Sequence, residues 1–139
     1  VDIINNKLVI KFKVDIPPVS KKNHQQILIN KATGRPFVMP SKQYKQYEKA
    51  AACYIPKLHT RQPISEPVNV KCLFYMPTRR KCDLVNMQEA ILDVMVNEGL
   101  LEDDNCGIVR SMDGSRVLYD KENPRTEVEI TRTEDEETE

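Results

Sequence analysis

Between Val68 and Asn97 the spacing of apolar residues changes period, and that change constrains the fold more than any other feature of the chain. Over 68–76, Val70, Cys72, Phe74 and Met76 recur at every second position, the pattern of a strand buried on one face. Over 84–97 the interval lengthens. At roughly 100° per residue, Leu84, Met87, Ile91, Leu92, Val94 and Met95 fill one side of a helix. Pro77 ends the strand, Asp83 offers an N-cap, and Gly99 marks the helix stop. A half-buried strand running into an amphipathic helix predicts a sheet with that helix packed upon it.

The flanking segments extend the same pattern. Lys7–Ile16 alternates Leu8, Ile10, Phe12, Val14 and Ile16 against Lys7, Lys11, Lys13 and Asp15, and Pro17 and Pro18 stop that strand. SKKNHQ reads as an exposed basic loop. Gln26–Asn30 and Pro36–Met39 read as short strands joined around Gly34. Ser41 offers an N-cap for a further helix carrying Tyr44, Tyr47, Ala51, Tyr54, Ile55 and Leu58 at helical spacing to about His59, and Pro56 kinks or ends it near Ile55. Its tyrosines read as core rather than as base-stacking groups. Gly107–Met112 and Ser115–Asp120 predict a hairpin across Asp113-Gly114, and Arg125–Thr133 a last strand. The expected architecture is α/β of the α+β type: one domain over residues 1–133, a mixed sheet with two main helices, and an acidic tail over 134–139.

Composition narrows the function classes. With 40% hydrophobic and 30% charged residues in 139, the chain reads as one globular domain rather than a disordered segment. No apolar run approaches the roughly 20 residues of a membrane span, and the first residues lack a signal-peptide pattern, so a cytoplasmic setting is expected. Cys53, Cys72, Cys82 and Cys106 form no CxxC pair and read as free thiols. His24 and His59 fit no zinc or triad spacing, and four glycines form no phosphate loop. The net charge of zero hides a segregation: setting aside the five acids of EDEETE leaves 21 bases against 16 acids, a body of +5. Such a body is compatible with a nucleic-acid partner.

The chemistry concentrates around the helix over 84–97. Arg79, Arg80 and Lys81 precede Asp83, and Glu102, Asp103 and Asp104 follow Gly99. Bases attract a polyanion, and clustered carboxylates suit a hard divalent cation that can activate water and relieve charge on a phosphodiester. Asp83, Asp103 and Asp104 are the candidate ligands, and Asn86 is a neutral oxygen donor one turn from Asp83. Asn86, Glu89, Asp93 and Asn97 are expected together on the side of the helix opposite its apolar face. Taken singly, Asp83 is a helix cap and Asp103-Asp104-Asn105 a polar loop. Their company with the basic triplet is what points to a site acting on phosphate.

MPTRRKCDLVNMQEAILDVMVNEGLLEDDNCGIV, with the strand before it and the predicted hairpin after it, resembles the RusA family of phage and prophage Holliday-junction resolvases. PPVSKKN resembles that family's loop after its first strand, and the likeness spans most of residues 8–132. The resemblance implies a Mg²⁺-dependent homodimer, with Mn²⁺ as an alternative metal, that cuts four-way DNA junctions by paired nicks in recombination and repair. By motif position Asp83 matches the first family aspartate, Asn86 the asparagine after it and Asp104 the later aspartate, with Asp103 adjoining. Two positions depart from the pattern: Val85 stands where the family has a second acid, and Glu89 where a lysine is frequent. Glu89 could restore a metal-binding carboxylate. Lys21, Lys22, Arg79, Arg80 and Lys81 are then the expected DNA contacts. The alternatives are a junction- or DNA-binding module of the same family that does not cut, and an interaction protein whose acidic loop only caps a helix.

Overall fold

The computed structural model describes residues 2–4, 7–20, 25–40 and 42–133. Ten elements follow one another: β1 (Asp2–Ile4), β2 (Lys7–Val14), β3 (Gln25–Ile29), β4 (Pro36–Pro40), α1 (Lys42–Ala52), β5 (Val68–Met76), α2 (Leu84–Asn97), β6 (Val109–Ser111), β7 (Arg116–Tyr119) and β8 (Arg125–Arg132). The main sheet runs β1-β2-β8-β5-β6, with β7 also on β5. β2, β8 and β5 are antiparallel neighbours, whereas β6 and β7 lie parallel to β5. A parallel pair needs a crossover, and α2 supplies it. The mixed sheet and two helices are those expected from the periodicities; β1 is an addition.

Alternation decides which face of the sheet is covered. Ile10 and Val14, Val128 and Ile130, and Val70, Cys72 and Phe74 are buried against Tyr44, Tyr47 and Ala51 of α1 and Met87, Ala90, Ile91, Val94 and Met95 of α2. Tyr44 and Tyr47 are therefore core, whereas α1 ends at Ala52 and Tyr54 beyond it is 38% exposed, so the core reading fails there. On the opposite face, registers Lys11↔Glu129↔Lys71 and Lys13↔Glu127 place opposite charges side by side, the cross-strand pairing that suits a solvated face. β3 and β4 form a separate two-stranded sheet with Ile27 and Ile29 largely exposed.

Three further expectations change. The hairpin across Asp113-Gly114 does not form, because β6 and β7 each pair with β5 rather than with one another. Residues 112–115 instead bulge out of one edge of the sheet. Asn69 Oδ1 accepts from Ser111 Oγ at 2.6 Å and from Asp113 N at 2.8 Å, while its amide donates to Asp113 O at 3.2 Å. Ser115 Oγ accepts from Cys72 N at 3.0 Å. Gly114, at φ 86°, lets the bulge close against Lys71. Second, Ser20, the first residue of the SKKNHQ loop, is buried. Third, Asn86 lies not opposite the packed face of α2 but on its border, 6% exposed. Lys21, Lys22, His24, Ser41 and the acidic tail lie outside the described residues. No helix among the described residues is long and apolar enough to cross a membrane.

Candidate functional site

α2 owes its ends to local chemistry, and those ends position the candidate groups. Asp83 Oδ1 accepts from Val85 N at 3.0 Å and Asn86 N at 3.4 Å, satisfying donors that the first turn leaves free. Asp83 is exposed at that cap. At the other end Gly99 adopts φ 78°, Gly99 N donates to Val96 O at 3.1 Å and Leu100 N to Met95 O at 2.9 Å. This pair of bonds is a Schellman cap, closed by buried Leu100 beside buried Met95. It turns the chain back along the helix, and Glu102 N is tied to Ile64 O at 3.0 Å.

The turn sets the acidic loop beside α2. Asp103 Oδ1 accepts from Asp104 N at 2.7 Å and Asp103 Oδ2 from Asn105 Nδ2 at 3.0 Å, while Asn105 Oδ1 accepts from Gly107 N at 2.9 Å. The loop is thus held by its own side chains. Asp104 is at the surface, yet partial desolvation by its neighbours, the Asp103 carboxylate and the charge of Asp93 together hold its carboxyl above the usual range. Asp93 in turn accepts from the hydroxyl of Tyr44, 2% exposed, at 3.5 Å. Burial and the charges of Asp93 and Glu48 raise the tyrosine's own pKa well above its ordinary value.

Asp93, Asp103 and Asp104 therefore come together. Asp93 is the member that motif matching passes over; its signal was its place on the helix border shared with Asn86, seven residues earlier. Glu89, half-buried, lies on the same border between them. Asp83 does not join the group. It caps the start of α2, ten residues before Asp93, a rise of about 15 Å along the helix. A strip of Asn86, Glu89 and Asp93 links the two ends. Among the described residues, no group of three or more His, Cys, Asp or Glu side chains is arranged to hold a metal ion.

The basic triplet belongs to the Asp83 end. Arg79, Arg80 and Lys81 are exposed beyond the C-terminal end of β5, where β5 and β7 run parallel and Met76 is in register with Tyr119. Carboxyl ends of parallel strands are a common place for a ligand. The Arg79 guanidinium lies over the Tyr119 ring at 4.3 Å from its centroid. Each end of α2 thus carries part of what hydrolysis at a phosphate needs: cations and one carboxylate at its start, clustered carboxylates beyond its end.

A family model described as endodeoxyribonuclease RusA matches residues 15–131, a span that includes α2 and both of its ends. No curated protein matches the chain.

Proposed function

The chain belongs to the RusA endodeoxyribonuclease family, and from that premise we propose that it is a structure-specific nuclease that resolves four-way DNA junctions by paired nicks. The family acts on branched DNA and uses a divalent metal. For this chain the proposed metal is Mg²⁺, with Mn²⁺ as substitute, and the proposed ligands are Asp83, Asp103 and Asp104. Asn86 and Glu89 would complete the shell from the border of α2. The observation that carries the proposal is the family match over residues 15–131, and Asp104, its carboxyl raised by partial desolvation and by Asp103 and Asp93, is a negative spot that a hard cation would offset.

The donor chemistry fits such a cation, and since α2 rises about 15 Å between Asp83 and Asp93, we take its two ends to serve one ion from two chains. Two chains related by a two-fold axis place residue i of one beside residue j of the other, and the reverse. An antiparallel approach of two α2 helices would bring Asp83 of one chain to the acidic loop of the second, twice. The length of α2 and the near two-fold symmetry of a junction both support the proposed homodimer. When bound, the metal activates water and neutralises charge on the phosphate. Arg79, Arg80 and Lys81 bind phosphates beside Asp83, with Lys21 and Lys22 as further contacts. Asp103 holds the loop that carries Asp104, and Tyr44 holds Asp93 behind it.

One observation favours a second reading, a module that binds junctions without cutting. Val85, at the place of the family's second acid, is 56% exposed and brings no oxygen to the cap. Gel assays of a labelled junction separate the two. The nuclease gives symmetric nicks with Mg²⁺ and none with EDTA, and Asp83→Asn and Asp104→Asn bind without nicking. Binding by the wild-type chain with no nick in Mg²⁺ or Mn²⁺ would establish the second reading.

A further inference from the structure

Among the described residues two arginines lie over tyrosine rings, and their surroundings differ in a way that assigns a role to Tyr119. Arg125 lies 3.8 Å from the Tyr75 ring centroid, and its Nε and Nη1 donors are taken by neighbouring oxygens. It bonds Asp120 Oδ2 at 2.9 Å, Glu127 Oε2 at 2.8 Å and Asn123 O at 2.9 Å. Arg79 lies 4.3 Å from the Tyr119 ring centroid and, among the described residues, is paired with no carboxylate or carbonyl. A guanidinium stacked on a ring is held by its face, leaving the N–H donors at its edge directed outward in a planar fork. That fork matches two oxygens of a phosphate.

The platform under Arg79 is itself fixed. Tyr119 is the last residue of β7, in register with Met76, and Asp120 N donates to Met76 O at 2.9 Å. Asp120 Oδ1 accepts from Glu122 N at 3.2 Å and Asn123 N at 3.1 Å, and Oδ2 takes the Arg125 bond. The neutralised arginine thereby anchors the strand end on which the vacant one rests. Tyr119 remains 40% exposed, so its ring is open to solvent beside Arg79.

We infer that Tyr119 is a positioning residue for DNA: it stacks Arg79 so that the guanidinium meets a backbone phosphate already oriented. The inference rests on the proposed phosphate role of Arg79 and adds what makes that contact effective. A free arginine must give up rotamer freedom on binding, and stacking removes part of that cost beforehand. Tyr119 touches no phosphate itself.

The test measures junction affinity of the full chain from about 50 to 300 mM salt, with EDTA present so that no strand is cut. Arg79→Ala should lower the salt slope by roughly one unit, the share of one phosphate. Tyr119→Leu should weaken affinity at low salt and lower the slope in the same direction. The double variant should be no weaker than Arg79→Ala alone, and Tyr119→Phe, which keeps the ring, should match wild type. If Arg79→Ala lowers the slope while Tyr119→Leu leaves slope and affinity unchanged, the positioning role is wrong and the phosphate contact stands. If Arg79→Ala itself leaves the slope unchanged, the phosphate contact is wrong and the positioning role goes with it. Should Tyr119→Leu lose its thermal unfolding transition, Tyr119→Thr, suited to a strand position, replaces it under the same criteria.

Discussion

A carboxylate beside other carboxylates binds its proton more tightly than one alone in water, because ionising it adds to a local excess of charge. Asp104 is in that position, with Asp103 and Asp93 as neighbours. A raised native pKa means that its protonated form adds stability below the unfolded pKa, and that this stability is lost as pH rises through the native value. At pH 7 the ionised group therefore opposes folding. Asp104→Asn should raise the melting temperature at pH 7, and the gain should fade as pH falls through the raised range, vanishing below about 3.9. The same change should reduce junction cleavage on the order of 100-fold or more, since even outer partners of a metal ligand cost up to that. Thermal melts from pH 3 to 8 check the sign; a lower melting temperature at pH 7 would show Asp104 to be a structural residue. The Asp103-Asp104-Asn105 run was plain in the sequence because its members are adjacent. The nearness of Asp93 was not, since it depends on the Gly99 cap that folds the loop back along the helix.

At the scale of elements, β5 and α2 were legible to the residue, because each has one period and a clear stop on either side. The edge formed by β6 and β7 was not. Asp113-Gly114 supplies the positive φ that a hairpin turn or a bulge can use, and the sequence nearby does not say which strand will be the partner. Asn69, more than forty residues away, decides it through three hydrogen bonds to Ser111 and Asp113. Asn69→Ala should therefore cost about 1–2 kcal/mol, the loss of a few partly solvated bonds. It should also speed amide exchange over 109–119 more than over α2. Denaturant unfolding with exchange mass spectrometry measures both. A loss below about 0.5 kcal/mol, the range of ordinary surface changes, would mean that strand pairing alone holds the bulge.

At the scale of the whole molecule, the decisive quantity is the length of α2. Sequence reading gathered Asp83, Asp103, Asp104 and the basic triplet into one constellation, because motif positions carry no distances. As a 14-residue helix, α2 puts about 15 Å of rise between Asp83 and Asp93, and the proposed dimer is what would join the basic cap of one chain to the acidic loop of the other. No stretch of the sequence marks that interface, since the exposed border of α2 looks like any polar helix face. The most direct measurement mixes two inactive chains. Asp83→Asn and Asp104→Asn, each alone, should bind junction DNA and leave it uncut in Mg²⁺. After the two are unfolded and refolded together, a site shared between chains gives each mixed dimer one intact pair of Asp83 and Asp104. The mixture should then nick one strand per junction, in Mg²⁺ and not in EDTA, at a rate set by the fraction of mixed dimers. A mixture as inactive as its parts, beside a wild-type chain that cuts, would contradict the shared site.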